Sequence, residues 1–225
     1  RQNEGNAIGY AIGSYLATGN ISCVYLQNSG LGNTINPLLS LADDNVMGIP
    51  ILMIIGWRGH PYVSDEPQHK KQGAITPQLL DTMGISYVII DNNDEDYVVS
   101  LSLLIENIKK NNRPGAIIVK KNCLQLKNPA VNQVNETHND RESCIKHIVD
   151  TLGKEPVYFS TTGYPSRELY EYINEKPIPD EYLAFYCVGG MGHVSSIAAG
   201  FSLNNPRKTV CIDGDGSLIR HMGSL

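Results

Sequence analysis

No basic block runs through this sequence. Lysine and arginine together number 18 against 23 aspartates and glutamates, a formal net charge of −5. The lysine doublets stand apart, at 70–71, 109–110 and 120–121. A nucleic-acid surface needs clustered cations to displace counterions. The doublets therefore read as solvated faces or helix ends, and no nucleic-acid partner is expected. Long apolar runs are missing too. The longest, MGIPILMIIGW at 47–57, falls far short of the ~20 residues that cross a bilayer, so no membrane partner is expected. Paired cysteine motifs are absent: Cys23, Cys123, Cys144, Cys187 and Cys211 form an odd set with no CxxC. That argues against a disulfide framework or a zinc site and for reduced, buried thiols. With no secretory leader recognised ahead of the first helical pattern, the expected compartment is the cytoplasm.

What is present is a core-forming composition, 41% hydrophobic and 18% charged, with a regular rhythm. Short runs rich in β-branched and aromatic residues, at 21–27, 49–57, 86–91, 115–120, 156–162, 182–188 and 208–213, read as strands. They are continuous rather than alternating, as in strands buried on both faces. Between them, 4–18, 34–43, 76–83, 95–111, 141–152, 165–173 and 193–203 read as helices. Strict alternation predicts an α/β protein with parallel sheets. The polar, asparagine-rich stretch 121–140 breaks the rhythm and reads as a linker. Two doubly wound domains are expected, at 1–120 and 141–225. Both look incomplete: no strand leads into the first helix, and the last strand runs into GDGSLIRHMGSL and the end of the chain.

Ligands of parallel sheets sit beyond the carboxyl ends of the strands, so the segments following each strand carry the functional reading. NSGLGN at 28–33 combines a glycine-permitted close approach with helix-start amides that favour an anion; the plainer alternative is a glycine turn. The stretch 58–73, RGHPYVSDEPQHKKQG, is long for a βα loop and dense in polar groups, which predicts a lid or binding loop. In it Arg58 presents a fork suited to a carboxylate or phosphonate. TTGYPSREL at 161–169 places two hydroxyls and a glycine before a proline-started helix, either a phosphate seat or ordinary capping. GGMGHVSSIAAG at 189–200 invites a dinucleotide reading, but Ser195 stands where the third glycine belongs. CIDGDGS at 211–217 delivers Asp213 and Asp215 from a buried strand. Carboxylates there suit Mg²⁺, which needs only one or two beside phosphate oxygens; the alternative is an Asx turn. The first helix, NEGNAIGYAIGSYLATG at 3–19, opens with a lone acid, Glu4. By itself it reads as a cap or dipole partner.

Taken as an ordered set, NEGNAIG, NSGLGN, DEPQH, TTGYPSREL, GGMGHVSSIAAG and DGDGS resemble the thiamine diphosphate-dependent decarboxylases of 2-keto acids, over essentially the whole chain. The likeness is strongest to the branch acting on 3-phosphonopyruvate, with the sulfopyruvate branch next. The resemblance implies a pyrimidine-binding domain followed by a diphosphate-binding domain, thiamine diphosphate and Mg²⁺ as cofactors, and a homo-oligomer with active sites between subunits. It implies that Glu4 hydrogen-bonds the cofactor's pyrimidine N1′ and that Asp215 is the first Mg²⁺ ligand. Met191 takes the place of the apolar residue that bends the cofactor. Thr161, Thr162, Gly163, Gly190, Gly192 and His193 line the cleft, and Gly216 and Ser217 approach the diphosphate. The motif's metal-binding asparagine would fall beyond Leu225. The expected reaction converts 3-phosphonopyruvate to phosphonoacetaldehyde and CO₂. Position and charge, rather than any motif, nominate Asn28, Ser29, Gly30, Leu31, Arg58 and His69 for the substrate, with Lys70 and His193 as weaker candidates. A dinucleotide oxidoreductase and a non-catalytic subunit are the competing readings.

Overall fold

A computed structural model of the chain describes residues 3–91, 97–124 and 140–224. The chain divides into two compact units, Arg1–Pro129 and Ala130–Leu225. Most of the expected linker, 125–139, lies outside the described residues, as does Glu95 at the start of an expected helix.

The first unit holds a four-stranded parallel sheet of order β1-β2-β4-β3, formed by β1 (Ser22–Gln27), β2 (Ile51–Gly56), β3 (Ser86–Ile90) and β4 (Gly115–Val119). Side chains alternate across a strand, and β2 uses both faces. Ile51, Met53 and Ile55 join a core with Ile8, Ala11 and Ile12 of α1 (Glu4–Thr18) and Leu80 of α3 (Pro67–Thr82). Leu52 and Ile54 pack on the other side with Leu104 and Ile108 of α4 (Tyr97–Asn111). Helices on both faces are what a parallel sheet requires. The continuous apolar burial read from the sequence holds for β4 but not for β1. There Val24 and Leu26 are buried while Cys23 and Tyr25 are exposed, because α4 packs over β3 and β4 rather than over that edge strand.

Two expectations in this unit are corrected. The segment read as one helix at 34–43 is three short pieces: a 3₁₀ helix Asn28–Thr34, α2 (Ile35–Pro37) and a π-helical turn Leu38–Ala42. NSGLGN is thus itself coiled rather than a loop, and 3₁₀ coiling draws amides into i→i+3 bonds. The long loop expected at 58–73 is also shorter. α3 begins at Pro67, with proline in the first turn where its missing N–H costs nothing. Gln68, His69, Lys70 and Lys71 are helical, and only 58–66 is irregular.

The second unit holds a three-stranded parallel sheet of order β6-β5-β7, from β5 (Val157–Ser160), β6 (Leu183–Tyr186) and β7 (Thr209–Ile212). The central β5 is buried on both faces. Tyr158 packs with Ile145 and Val149 of α5 (Arg141–Leu152) and Leu169 and Ile173 of α6 (Tyr164–Asn174). Val157 and Phe159 pack with Val194 and Ala198 of α7 (Val194–Ser202). A short α8 (Asp215–Arg220) follows β7.

Candidate functional site

In the first unit, the functional reading turns on what Glu4 does locally. It is not the helix cap: Asn3 is, its Oδ1 accepting from the Gly5 N–H at 2.8 Å. With capping assigned elsewhere, the Glu4 carboxyl folds back over the 3₁₀ segment. Asn33 Nδ2 donates to Glu4 Oε2 at 2.8 Å. A Cβ built on Gly30 would lie 2.4 Å from both the Glu4 carboxyl carbon and Oε1. Position 30 therefore admits only glycine while Glu4 keeps this place.

Arg58, two residues past β2, is fixed from two sides. The buried Asn28 side chain holds its backbone: Nδ2 donates to the Arg58 carbonyl at 2.9 Å, and Oδ1 accepts from the Arg58 N–H at 2.9 Å. The same Nδ2 donates to Thr76 Oγ1 at 3.0 Å. The guanidinium forks onto Asp65, with Nε–Oδ2 at 2.8 Å and Nη2–Oδ1 at 2.5 Å. Asp65 also accepts from the amides of Gly59 at 2.7 Å and Glu66 at 2.8 Å. Chiefly through the Arg58 fork, its carboxyl is held well below the usual carboxylate range. A carboxyl whose pKa is lower folded than unfolded adds stability in full above the unfolded value of ~3.9, and loses it progressively as pH falls from there through the lower folded value. Asp65→Asn is accordingly expected to flatten the acid limb of stability. Between pH 5 and 2 the unsubstituted protein should lose about 1–2 kcal/mol more than the variant in thermal or urea melts, allowing for the exposure of Arg58. Parallel curves would refute the assignment.

His69 lies in the first turn of α3, and burial, then the field of Arg58, pushes its imidazole below the usual pKa. Nδ1 of His60, Oε1 of Gln68 and Nδ1 of His69 are buried without a hydrogen-bond partner among the described residues. Leu31 is 1% exposed and its side chain belongs to the core. Ser29 Oγ donates to Gln27 Oε1 at 2.6 Å.

In the second unit, the segments beyond all three strands meet on one hydroxyl. Thr161 Oγ1, just past β5, donates to Ser217 Oγ at 2.9 Å, and the Gly192 amide, past β6, donates to the same oxygen at 3.0 Å. Ser217, past β7 in α8, is 3% exposed. Ser166 Oγ, within α6, donates to the Thr161 carbonyl at 2.7 Å and contacts Ser160 Oγ at 2.7 Å. Thr162 Oγ1 donates to the Val188 carbonyl at 2.7 Å. Gly163, Gly190 and Gly192 hold φ of 97°, 63° and 96°. Met191 between the latter two is exposed. His193 Nδ1 lies 2.9 Å from the Gly190 carbonyl, and its ring meets that of His221 at a tilt of 51°, with centroids 4.5 Å apart. Asp215 is exposed at the head of α8, its Oδ1 accepting from the Gly216 amide at 2.7 Å. No group of three or more His, Cys, Asp or Glu side chains able to hold a metal occurs among the described residues.

Thr161, Gly192 and Ser217 are therefore brought together as one cluster, and Glu4 and Gly30 as another. Sequence reasoning passed over Asp65 as the partner of Arg58, Asn3 as the cap, Asn33 on Glu4, and His221 beside His193. The capping preference of asparagine was a legible signal for Asn3; the other contacts join residues no local period relates.

Two family comparisons fit these two clusters. The family described as "Thiamine pyrophosphate enzyme, N-terminal TPP binding domain" matches residues 1–85, and its C-terminal counterpart matches residues 161–225. The chain belongs to the thiamine pyrophosphate (thiamine diphosphate) enzymes. It is similar to phosphonopyruvate decarboxylases of Streptomyces viridochromogenes, 31% identical, and Streptomyces hygroscopicus, 30% identical, each over 99% of this chain and 57% of the relative. A sulfopyruvate decarboxylase of Methanosarcina acetivorans is 28% identical over 99% of this chain and 60% of its own length. The chain thus spans less than two thirds of the length of these relatives.

Proposed function

We propose that the protein is a thiamine diphosphate- and Mg²⁺-dependent decarboxylase that converts 3-phosphonopyruvate to phosphonoacetaldehyde and CO₂. The observation that carries this reading is Glu4, a helix-start acid that does not cap its helix. It is folded instead onto the backbone of Gly30 in a chain of thiamine pyrophosphate enzyme family. The bound cofactor supplies the electron sink that a 2-keto acid needs to release CO₂. Glu4 is the chain's proton-handling group, held in place by Asn33 and by the space at Gly30.

The residues of the second unit suit the rest of the cofactor. Thr161, Ser217 and the Gly192 amide converge where strands β5, β6 and β7 end, the usual seat of a ligand in a parallel sheet. The glycine-rich turn 189–192 presents backbone without side chains beside them. Asp215, exposed and bonded within its own turn through one oxygen, offers a hard carboxylate ligand for Mg²⁺, which otherwise binds phosphate oxygens and water. The relatives named phosphonopyruvate decarboxylase support the phosphonate as substrate; the sulfopyruvate relative keeps the sulfonate as the second reading. A cytoplasmic homo-oligomer completes the proposal; the five cysteines are unpaired, with Cys187 buried and Cys23, Cys144 and Cys211 exposed rather than buried as expected.

One assay separates these readings. The full-length protein, loaded with thiamine diphosphate and Mg²⁺, is given phosphonopyruvate, sulfopyruvate or pyruvate, and CO₂ and aldehyde are followed. The highest kcat/KM is expected for phosphonopyruvate. A preference for sulfopyruvate would transfer the assignment, and turnover of NAD(P)H in place of CO₂ release would overturn it.

A further inference from the structure

We propose that the crevice where β1, β2 and β4 end is a binding site for a tetrahedral oxyanion, a phosphonate, phosphate or sulfonate. It has a volume of about 260 Å³, and its walls include Tyr25, Gln27, Trp57, Arg58, Lys120 and Lys121. That volume suits a small organic anion rather than a larger ligand. It opens at the carboxyl ends of three adjacent parallel strands, the position at which such sheets receive ligands.

Three cations line it, and no acidic residue does among the described residues. The acids that compensate them stand behind. Asp65 holds Arg58, and Asp91 pairs with Lys120. Arg58 and Lys120 are therefore oriented before any ligand arrives, which lowers the ordering cost of binding. Lys121 has no ion-pair partner among the described residues. It is placed at the crevice by the tight turn after β4, in which the Cys123 amide donates to the Lys120 carbonyl at 3.4 Å and Asn122 takes φ 66°. The crevice thus holds two preset donors and one positive charge with no counter-ion among the described residues. Apolar walls from Tyr25 and Trp57 lower the local dielectric and strengthen its pull on an anion.

Trp57 is the only tryptophan of these 225 residues, and it reports on the crevice by fluorescence in a full-length protein in which it is kept as the single tryptophan. The full-length protein is titrated at constant ionic strength with methylphosphonate, inorganic phosphate and acetate. Methylphosphonate and phosphate are expected to shift the emission saturably, with acetate weaker. Lys121→Glu, at an exposed position, is expected to weaken methylphosphonate at least about 5-fold with an unchanged circular dichroism spectrum. No saturable change, an unaltered affinity in Lys121→Glu, or acetate binding as tightly as methylphosphonate overturns the site. Two sources of the oxyanion are told apart by turnover. Competition by methylphosphonate against phosphonopyruvate, with an inhibition constant matching its dissociation constant, assigns the crevice to the substrate's own head group. Saturable binding without competition assigns it to a free oxyanion; either result supports the site. The competition arm rests on the decarboxylase reading, whereas the binding arm does not. A protein that binds methylphosphonate but releases no CO₂ would reject that reading and leave the crevice standing.

Discussion

Glu4→Gln is expected to lower turnover by ~10²–10⁴-fold, the usual worth of a positioned proton-transfer group, while the protein keeps its fold and binds thiamine diphosphate. The substitution is selective because of what surrounds Glu4. Helix α1 keeps its cap, which is Asn3. A glutamine fills the same volume over Gly30, and its amide oxygen still accepts from Asn33. The loss is the carboxylate charge in the first turn of α1, a helix-dipole contribution of ~0.3–1 kcal/mol. The melting temperature should therefore move by only a few degrees while the rate collapses. CO₂ release under saturating substrate, read beside cofactor affinity by calorimetry, separates the two effects. A variant that turns over at near the normal rate would remove Glu4 from the chemistry. A variant that fails to bind cofactor would make it a binding residue alone.

The second large effect is on stability and runs against helix propensity. Gly73 lies inside α3, where alanine ordinarily improves a helix by ~1 kcal/mol. Here a Cβ would sit 1.9 Å from the Gly59 carbonyl oxygen and 2.5 Å from that of Arg58. The approach is mutual: a Cβ on Gly59, at φ +67°, would lie 1.9 Å from the His69 carbonyl oxygen. These obstacles are backbone and cannot rotate away. Trp57 Nε1, donating to the Gly73 carbonyl at 2.9 Å, binds the same two segments together. Gly73→Ala is thus expected to destabilise by about 3 kcal/mol or more, since overpacking outweighs the propensity gain. Urea unfolding measures it. A variant as stable as the unsubstituted protein would mean that α3 can move away from the 58–66 segment at no cost.

The limits of sequence reading follow from which contacts are local. Helices 4–18 and 141–152 are legible to the residue because Asn3 and Asp140 cap them and Gly19 and Gly153 end them. The seven strands are legible as apolar runs, with ends one or two residues too long. Thr161 and Thr162, read into a strand, turn out of it to bond Ser217 and the Val188 carbonyl. The start of α3 is missed because PQHKKQ carries no apolar stripe. Its helicity comes from Pro67 in the first turn and from the packing of Gly73 on Gly59, of which only the proline is a sequence signal. The broken coil at 28–42 is a tertiary outcome, with Leu31, Leu38 and Ala42 buried in one core. Among the candidate residues of the two units, the types of Glu4, Arg58 and Asp215 could be read from their positions after or before elements. Their partners could not: Asp65 on Arg58, Asn33 on Glu4 and Gly192 on Ser217 are fixed only when segments distant in sequence fold together.

Asn28 carries one last consequence. Its carboxamide meets both the N–H and the C=O of Arg58, as a neighbouring peptide unit would. The side chain of the residue just past β1 thus supplies a surrogate rung two residues after the ladder between β1 and β2 has stopped. The chain can turn away at Gly59 without stranding the backbone groups that follow β2. It also means that the exit from β2 is written from the neighbouring strand's side: the residue that follows β1 holds the turn that follows β2.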